Sequence, residues 1–406
     1  MKIIVIGSIS SGLSVAERLA AGDPDAQIVL YEKAAFCSCG THGLPHYLGL
    51  PIRAVDSAVE GCTLSAQGVQ IHAGHEVVAL HLSAKQVSVR AVDTGEISQE
   101  GFDRLVVATG SRSMPLTIPG AARMGVHPLH RMSDLLLLRE FLRTPYVRDI
   151  VILGGTLSAL ELAGAFLQLG RKVRVIDGGA GLLPGFDGEV RARIQRELES
   201  LGIVFHLGET VTAFRGRTFV ESVQTDRACY DCDLCVPALG ALPNSELLPE
   251  AARDDSGHIL VGEDWQTSLP DIYAAGSCAA RKNPMAATLG IRVGPLEIAR
   301  AGLTEEEAAR CSLSPASTLV SGQDRTGLAP NEGGVTVKLV YQRESLRVLG
   351  AQIWGSGDAV ARINAVAVAA QAGMTVRALE KTSFVSSTFA SAPWDPIQLA
   401  CAAVKA

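Results

Sequence analysis

Lys2-Ile-Ile-Val-Ile-Gly7-Ser-Ile-Ser-Ser-Gly12 opens the chain as an apolar strand that breaks into a glycine-bounded turn. A continuous apolar run of this length suits a parallel strand buried on both faces. The turn predicts a helix over Leu13–Ala21, and Ile28-Val-Leu-Tyr-Glu32 reads as a second strand ending on an acid. Strand, glycine turn, helix and acid-tipped strand form a βαβ unit of the dinucleotide-binding kind. Gly7 and Gly12 stand at the outer glycine positions of G-x-G-x-x-G, and Ile9 replaces the middle one. Such a turn brings backbone amides and a helix N-terminus to a pyrophosphate, and Glu32 is placed for a ribose diol.

The same grammar returns at Ile150-Val-Ile-Leu-Gly154-Gly-Thr156-Leu-Ser-Ala159, followed by a predicted helix through Leu169 and a strand, Lys172-Val-Arg-Val-Ile-Asp177. Only Gly154 keeps its place there, and Thr156 puts a side chain at the pyrophosphate approach. Asp177 favours NADH over NADPH, because a carboxylate accepts from a free 2′-hydroxyl and repels a phosphate. Two βαβ units imply two dinucleotide-binding folds. Beyond them the pattern changes. Val335–Tyr341 alternates, Val348–Trp354 is expected to pair with it, and Ala359–Ala372 reads as a helix, an α+β arrangement with an antiparallel sheet.

The chain has 406 residues, 47% of them hydrophobic, and a formal net charge of −6. That length implies two or three domains. The acidic balance, without a basic run, argues against nucleic acid or an anionic membrane as partner. No apolar run is long enough to span a bilayer, and the N-terminus lacks a signal-peptide pattern. Nine cysteines without a repeat in such a chain are expected to be mostly reduced thiols in the cytoplasm.

Phe102-Asp-Arg-Leu-Val-Val-Ala-Thr109-Gly110 and Thr267-Ser-Leu-Pro-Asp-Ile-Tyr-Ala-Ala-Gly276-Ser277-Cys278 resemble two further segments of FAD-binding reductases. Tyr31-Glu32-Lys33-Ala-Ala-Phe-Cys37-Ser-Cys39-Gly-Thr-His42-Gly43-Leu-Pro45 resembles the stretch after the second strand of the NADH oxidase, NADH peroxidase and coenzyme A-disulfide reductase family, within the pyridine nucleotide-disulfide oxidoreductases. The resemblance runs through Ala238-Leu-Gly240-Ala-Leu-Pro-Asn244, Ala301–Ala308 and Trp394-Asp-Pro-Ile397, so it covers essentially the whole chain.

The resemblance implies an α/β fold with two Rossmann-like domains and a C-terminal α+β interface domain. The expected division is 1–115 with 243–286 for FAD, 116–242 for NAD(P), and 287–406 for dimerisation. It implies FAD and NADH as cofactors and hydride transfer from NADH to FAD and on to an acceptor. It also implies a homodimer, with room for a protein redox partner. Cofactor contacts are expected from Gly7, Gly12, Glu32, Lys33, Thr109, Gly110, Gly276 and Ser277 on the FAD side. Gly154, Glu161, Asp177 and Gly240 are expected on the NAD side and at the return to the FAD domain.

The chain also departs from that family. An ungapped alignment puts His42 on the reactive cysteine, and imidazole forms neither a sulfenic acid nor a mixed disulfide. His42 is a candidate proton donor, and Cys39 and Cys37 are rival thiols at the same edge. Ser277 replaces a flavin-contacting aspartate. A helix's worth of residues is missing between Arg281 and Thr288, and the tail tyrosine falls near Val385. The alternative expectation is therefore a catalytically degenerate subunit that keeps the fold for electron transfer or assembly. Cys229-x-x-Cys232-x-x-Cys235 has iron–sulfur-like spacing but reads as one strand, on which residues three apart face opposite ways.

Overall fold

The computed structural model describes residues 1–8, 11–34, 43–50, 67–179, 181–281, 287–325, 333–385 and 392–405. The chain packs into two compact units. The first comprises Met1–Leu116, Pro128–Arg143 and Gly240–Lys282; the second comprises Thr117–His127, Thr144–Leu239 and Asn283–Ala406.

In the first unit a parallel five-stranded sheet runs in the order Ile272–Ala274, Arg104–Val107, Lys2–Ile6, Gln27–Glu32, Val69–Ala73. Its faces follow from alternation along the strands. Ile3, Val5, Ile28 and Leu30 pack with Ala16 of the Ser11–Gly22 helix. Ile4, Ile6, Val29, Leu105 and Val107 pack with Val77, Val87 and Val89. Those valines belong to an antiparallel meander of His75–His81, Gln86–Ala91 and Ile97–Gly101. Lys2–Ile6 is flanked by Gln27–Glu32 on one side and Arg104–Val107 on the other. The strand order therefore reverses at Gly7, and a crevice opens beyond the carboxyl ends of the strands.

The second unit holds a parallel sheet in the order Ile203–Leu207, Lys172–Asp177, Asp149–Leu153, Leu234–Pro237. It also holds a five-stranded antiparallel sheet in the order Thr288–Val293, Leu296–Gly302, Val348–Gly355, Gly334–Gln342, Pro315–Gln323. Val337 pairs with Ile353 and Leu339 with Ala351, and both strands pack against the Ala359–Gln371 helix through Ile363, Val366 and Ala370.

The antiparallel sheet meets the starts of the Gly188–Ser200 and Glu305–Arg310 helices at an ion cluster around the buried Lys338. Lys338 Nζ lies 2.9 Å from Asp187, 2.7 Å from Glu189 and 2.8 Å from Glu305. Asp187 also accepts from the backbone amides of Glu305 and Glu306, at the start of the Glu305–Arg310 helix. Burial pushes the Asp187 carboxyl up, but Lys338, the Glu306 amide and Gln352 outweigh it and hold it below the usual carboxylate range. Trp354 Nε1 donates to Glu197 across 2.8 Å.

Cys229 opens a short antiparallel strand, Cys229–Asp231, and Cys235 belongs to a parallel one, with Cys232 between them. The expectation of one continuous strand is therefore corrected: alternation breaks at Cys232, and Cys232 and Cys235 come into hydrogen-bond contact in the interior. Burial, reinforced by Cys232, pushes the Cys235 thiol well above its ordinary value. A Cys235 thiol so held stays protonated and unreactive.

Candidate functional site

The crevice in the first unit is a cavity of about 620 Å³. It is lined by Gly7, Glu32, Lys33, Thr109, Gly110, Gly276 and Ser277, seven of the expected FAD-side residues. Gly7 has φ +93°, and a Cβ there would lie 2.4 Å from the Ala108 carbonyl, so both backbone shape and space demand glycine. Gly12 does not line the cavity. It seats the helix, since a Cβ on it would come within 1.8 Å of the Gly7 carbonyl.

Glu32 is buried. Its Oε2 accepts from the Ser8 amide at 2.9 Å and the Ser8 hydroxyl at 2.8 Å, and its Oε1 accepts from the Ala34 amide at 2.9 Å. The strand-ending acid thus holds the glycine turn on one side and its own following loop on the other. Thr109 and Gly110 are fixed by the returning strand. Thr109 Oγ1 donates to Asn244 O at 2.5 Å, Asn244 Nδ2 donates to Thr109 O at 2.9 Å, and the Asn244 amide donates to Gly110 O at 2.9 Å. Gly240, at φ +104°, starts that return, and its carbonyl accepts from the Met114 amide.

Several residues in or beside the cavity were not expected from the sequence. Ser8 buttresses Glu32, while Ser11, Glu76, His130 and Arg131 face the cavity. His130 and Arg131 precede the Met132–Arg143 helix, whose Asp134 accepts from both of their backbone amides. An Asp four residues after His130 is a local cap signal, but nothing in the sequence says which sheet that helix joins.

The second βαβ turn repeats the first in its own unit. Gly154 has φ +109°, and a Cβ there would lie 2.5 Å from the Ala238 carbonyl. Asp177 accepts from the Gly155 amide through Oδ2 and from the Gly179 amide through Oδ1, both at 2.6 Å. The Thr156 hydroxyl is turned inward: it accepts from the Ala159 amide as a helix N-cap and donates to Ala238 O at 3.0 Å. Glu161 lies on this helix, and burial pushes its carboxyl up to about 7. Gly154, Glu161 and Asp177 therefore share one βαβ unit. His42, Cys39 and Cys37 lie outside the described residues.

Among the described residues, the short 3₁₀ turn Gly276–Cys278 leads directly into the Ala279–Arg281 strand, and Thr288 opens the antiparallel sheet after six intervening residues. Six intervening residues are fewer than two helical turns. No described helix is long and apolar enough to cross a membrane.

The profile of the pyridine nucleotide-disulphide oxidoreductases matches residues 1–294, and that of their dimerisation domain matches residues 290–396. An NADH oxidase of Enterococcus faecalis is 27% identical over 444 residues, covering 98% of each chain. A CoA-dependent NAD(P)H sulfur oxidoreductase of Pyrococcus abyssi is 28% identical, covering 97% of this chain and 96% of that one. The water-forming NADH oxidase of Lactobacillus brevis, solved with NADH, superposes with a TM-score of 0.87 at 23% identity, covering 99% of this chain and 98% of that one. The 444-residue alignment is longer than this chain, so the Enterococcus protein carries residues with no counterpart here.

Proposed function

The chain belongs to the pyridine nucleotide-disulphide oxidoreductase family, and we propose that it is a cytoplasmic, homodimeric, FAD-dependent NADH oxidoreductase. The observation that carries this reading is the repeated device at Glu32 and Asp177, each a strand-ending carboxylate bonded to the amide next to its own glycine turn. Relatives named as an NADH oxidase and a sulfur oxidoreductase support the reaction class and leave the acceptor open.

The residues of the first cavity suit FAD. Glu32 would accept from the adenosine ribose, the Gly7 turn would admit the pyrophosphate, and Lys33 and Arg131 carry the matching charge. Bound there, FAD would supply a two-electron acceptor for hydride. Asp177 would orient NADH by its ribose and disfavour a 2′-phosphate. Glu161, with its carboxyl near neutrality, can hold or release a proton at working pH.

We assign 1–115 with 243–286 to the FAD domain, 116–242 to the NAD(P) domain and 287–406 to dimerisation. The Pro128–Arg143 segment packs with the first of these. His42 is assigned the proton donor's role at the flavin edge, with Cys39 and Cys37 as the thiol alternative. Replacing His42 by Ala and each cysteine by Ser, then comparing turnover with oxygen and with a disulfide acceptor, separates the two.

A second reading, a catalytically degenerate subunit serving electron transfer or assembly, is favoured by Ser277 and by the six-residue link from Arg281 to Thr288. The deciding experiment is the visible spectrum of freshly purified protein, followed by anaerobic NADH. Flavin bands that bleach support the reductase. Flavin that NADH leaves oxidised removes NADH as donor. A protein that never takes up FAD sinks the enzyme reading and leaves the scaffold.

A further inference from the structure

Gly154 and Gly155 make the second turn, and two adjacent glycines have little conformational preference of their own. The turn is shaped from outside. The Gly155 amide donates to Asp177, and the Gly155 carbonyl accepts from the Leu183 amide at 2.8 Å. A Cβ on Gly155 would lie 3.2 Å from Leu182 Cα, so the segment that starts at Leu182 lies directly on the turn. Leu183 is fully buried at φ +54°. A leucine keeps that costly conformation only where its surroundings impose it.

Those surroundings include a row of three buried polar side chains. Arg300, Gln352 and Lys338 stand on adjacent strands of the antiparallel sheet, Arg300 paired with Gln352 and Gln352 with Lys338. Cross-strand partners share a face, so all three point the same way. Arg300 Nη1 donates to Gly185 O. Gln352 Oε1 accepts from the Asp187 amide at 2.8 Å, and its Nε2 donates to the Asp187 carboxylate. Lys338 Nζ lies 2.9 Å from the same carboxylate. The sheet thus grips a strap, Gly185–Asp187, that begins two residues beyond Leu183. Arg300 is itself fixed by Glu307 at 2.7 Å and by Gly302 O at 3.0 Å. Gly185 has φ +90°, and a Cβ there would lie 2.8 Å from Arg300 Nη1, so a side chain would crowd this bond.

The contacts run from sheet to turn: Arg300 to Gly185, Leu183 to Gly155, Gly155 to Asp177. A trans peptide is planar, so a Gly155 carbonyl held by Leu183 points the Thr156 N–H the opposite way. Thr156 caps the Leu157–Gln168 helix, whose N-terminus is the end that suits a diphosphate. We propose that Arg300 and Gln352 are positioning residues for NADH. They act through the strap, and set the affinity of the second turn by fixing the Gly155 peptide and the Asp177 carboxylate. The inference rests on the NADH reading of that turn, and its test separates the two.

Protein in saturating FAD is titrated calorimetrically with NAD⁺, which occupies the second turn without reducing the flavin. Arg300→Met and Gln352→Met should each raise the NAD⁺ dissociation constant at least about tenfold. Their FAD constants should stay within about twofold of the parent's. Arg300→Lys keeps a charge for Glu307 and a donor for Gly185 O, and should recover most of the loss. Gly185→Ala attacks the same bond from the strap. Added to Arg300→Met, it should change the constant by less than about twofold. Should Arg300→Met fail to fold, Gly185→Ala and Gln352→Met carry the comparison. Glu197→Ala is the control, because it breaks the bond to Trp354 in the same unit and leaves the strap alone. Its NAD⁺ constant should match the parent's. NAD⁺ constants that track melting temperature across all variants, Glu197→Ala included, overturn the proposal and leave a row that only stabilises the fold. Unchanged NAD⁺ binding in Gln352→Met and Gly185→Ala overturns it too, while the NADH reading stands. A parent protein that binds no NAD⁺ ends both.

Discussion

Lys338 Nζ sits 2.9 Å from Asp187 Oδ2, with both side chains only 3% exposed, and so joins the antiparallel sheet of the second unit to the start of its Gly188–Ser200 helix. Glu189 and Glu305 complete the cation's shell. Replacing Lys338 by Met would leave Asp187 buried without its cation. Removing one partner of a buried pair costs about 3–5 kcal/mol. Urea denaturation of Lys338→Met should show a loss of that order; an unchanged midpoint would mean the cluster contributes nothing net.

The pH dependence of this cluster has a definite sign. The folded carboxyl of Asp187 lies below its ordinary value of 3.8. Its contribution to stability is therefore full above that value and is lost as pH falls through the lower folded one. Asp187→Asn should flatten the acid limb of the stability curve below about pH 4, as read from denaturation midpoints between pH 2 and 6.

Glu161 behaves in the opposite way. Its folded carboxyl is raised from 4.5 to about 7. The folded state is favoured by proton uptake, so this contribution is full below pH 4.5 and lost as pH rises to about 7. The parent protein should lose stability between about pH 5 and 8, and Glu161→Gln should remove that decline. A decline of the same size in the variant would assign it elsewhere.

The two turns differ in how they tolerate a methyl group. Gly12 has no room for one, whereas Ala159, five residues after Gly154 as Gly12 is after Gly7, is fully buried with its methyl accommodated. Gly12→Ala should destabilise by about 1–3 kcal/mol and impair FAD uptake. Ala159→Gly should cost only about 1 kcal/mol and leave the Gly154 turn intact. Thermal melts with FAD titration check both.

Nucleotide preference tests Asp177 directly. Asp177→Asn keeps an acceptor but loses the charge, and a hydrogen bond to a charged group is worth about 1.5–3 kcal/mol. NADH should bind roughly ten- to a hundredfold more weakly, and NADPH should lose less, because the repulsion of its phosphate is removed. A proportional loss for both would show that Asp177 serves only the turn.

Much of this architecture is legible in the sequence because backbone geometry and burial write local patterns. Lys2–Ile6 and Ile150–Leu153 are apolar because helices or sheets cover both faces, and Gly7 and Gly154 are glycine because the chain passes the next strand too closely for a side chain. Pairings between distant segments are not written locally. Lys338 in Val-Thr-Val-Lys-Leu-Val resembles an outward charge on an alternating strand, yet three carboxylates from elsewhere bring it inside. The Met132–Arg143 helix is recognisable as a helix, but its allegiance to the first unit depends on contacts such as Arg139 Nη1 to Tyr47 O at 2.6 Å. Cys232 and Cys235 meet only because a strand ends between Cys229 and Cys235.

The bonds around Glu32 also bear on how a ligand arrives. A carboxylate has about four lone pairs. Two of those at Glu32 are held by backbone amides and a third by the Ser8 hydroxyl, a group that turns about a single bond. An incoming ribose can take the fourth, or take the third as Ser8 swings its proton to another acceptor. Arrival of the ribose then asks only one hydroxyl rotor to turn, and the bonds from the Ser8 and Ala34 amides to Glu32 need not break.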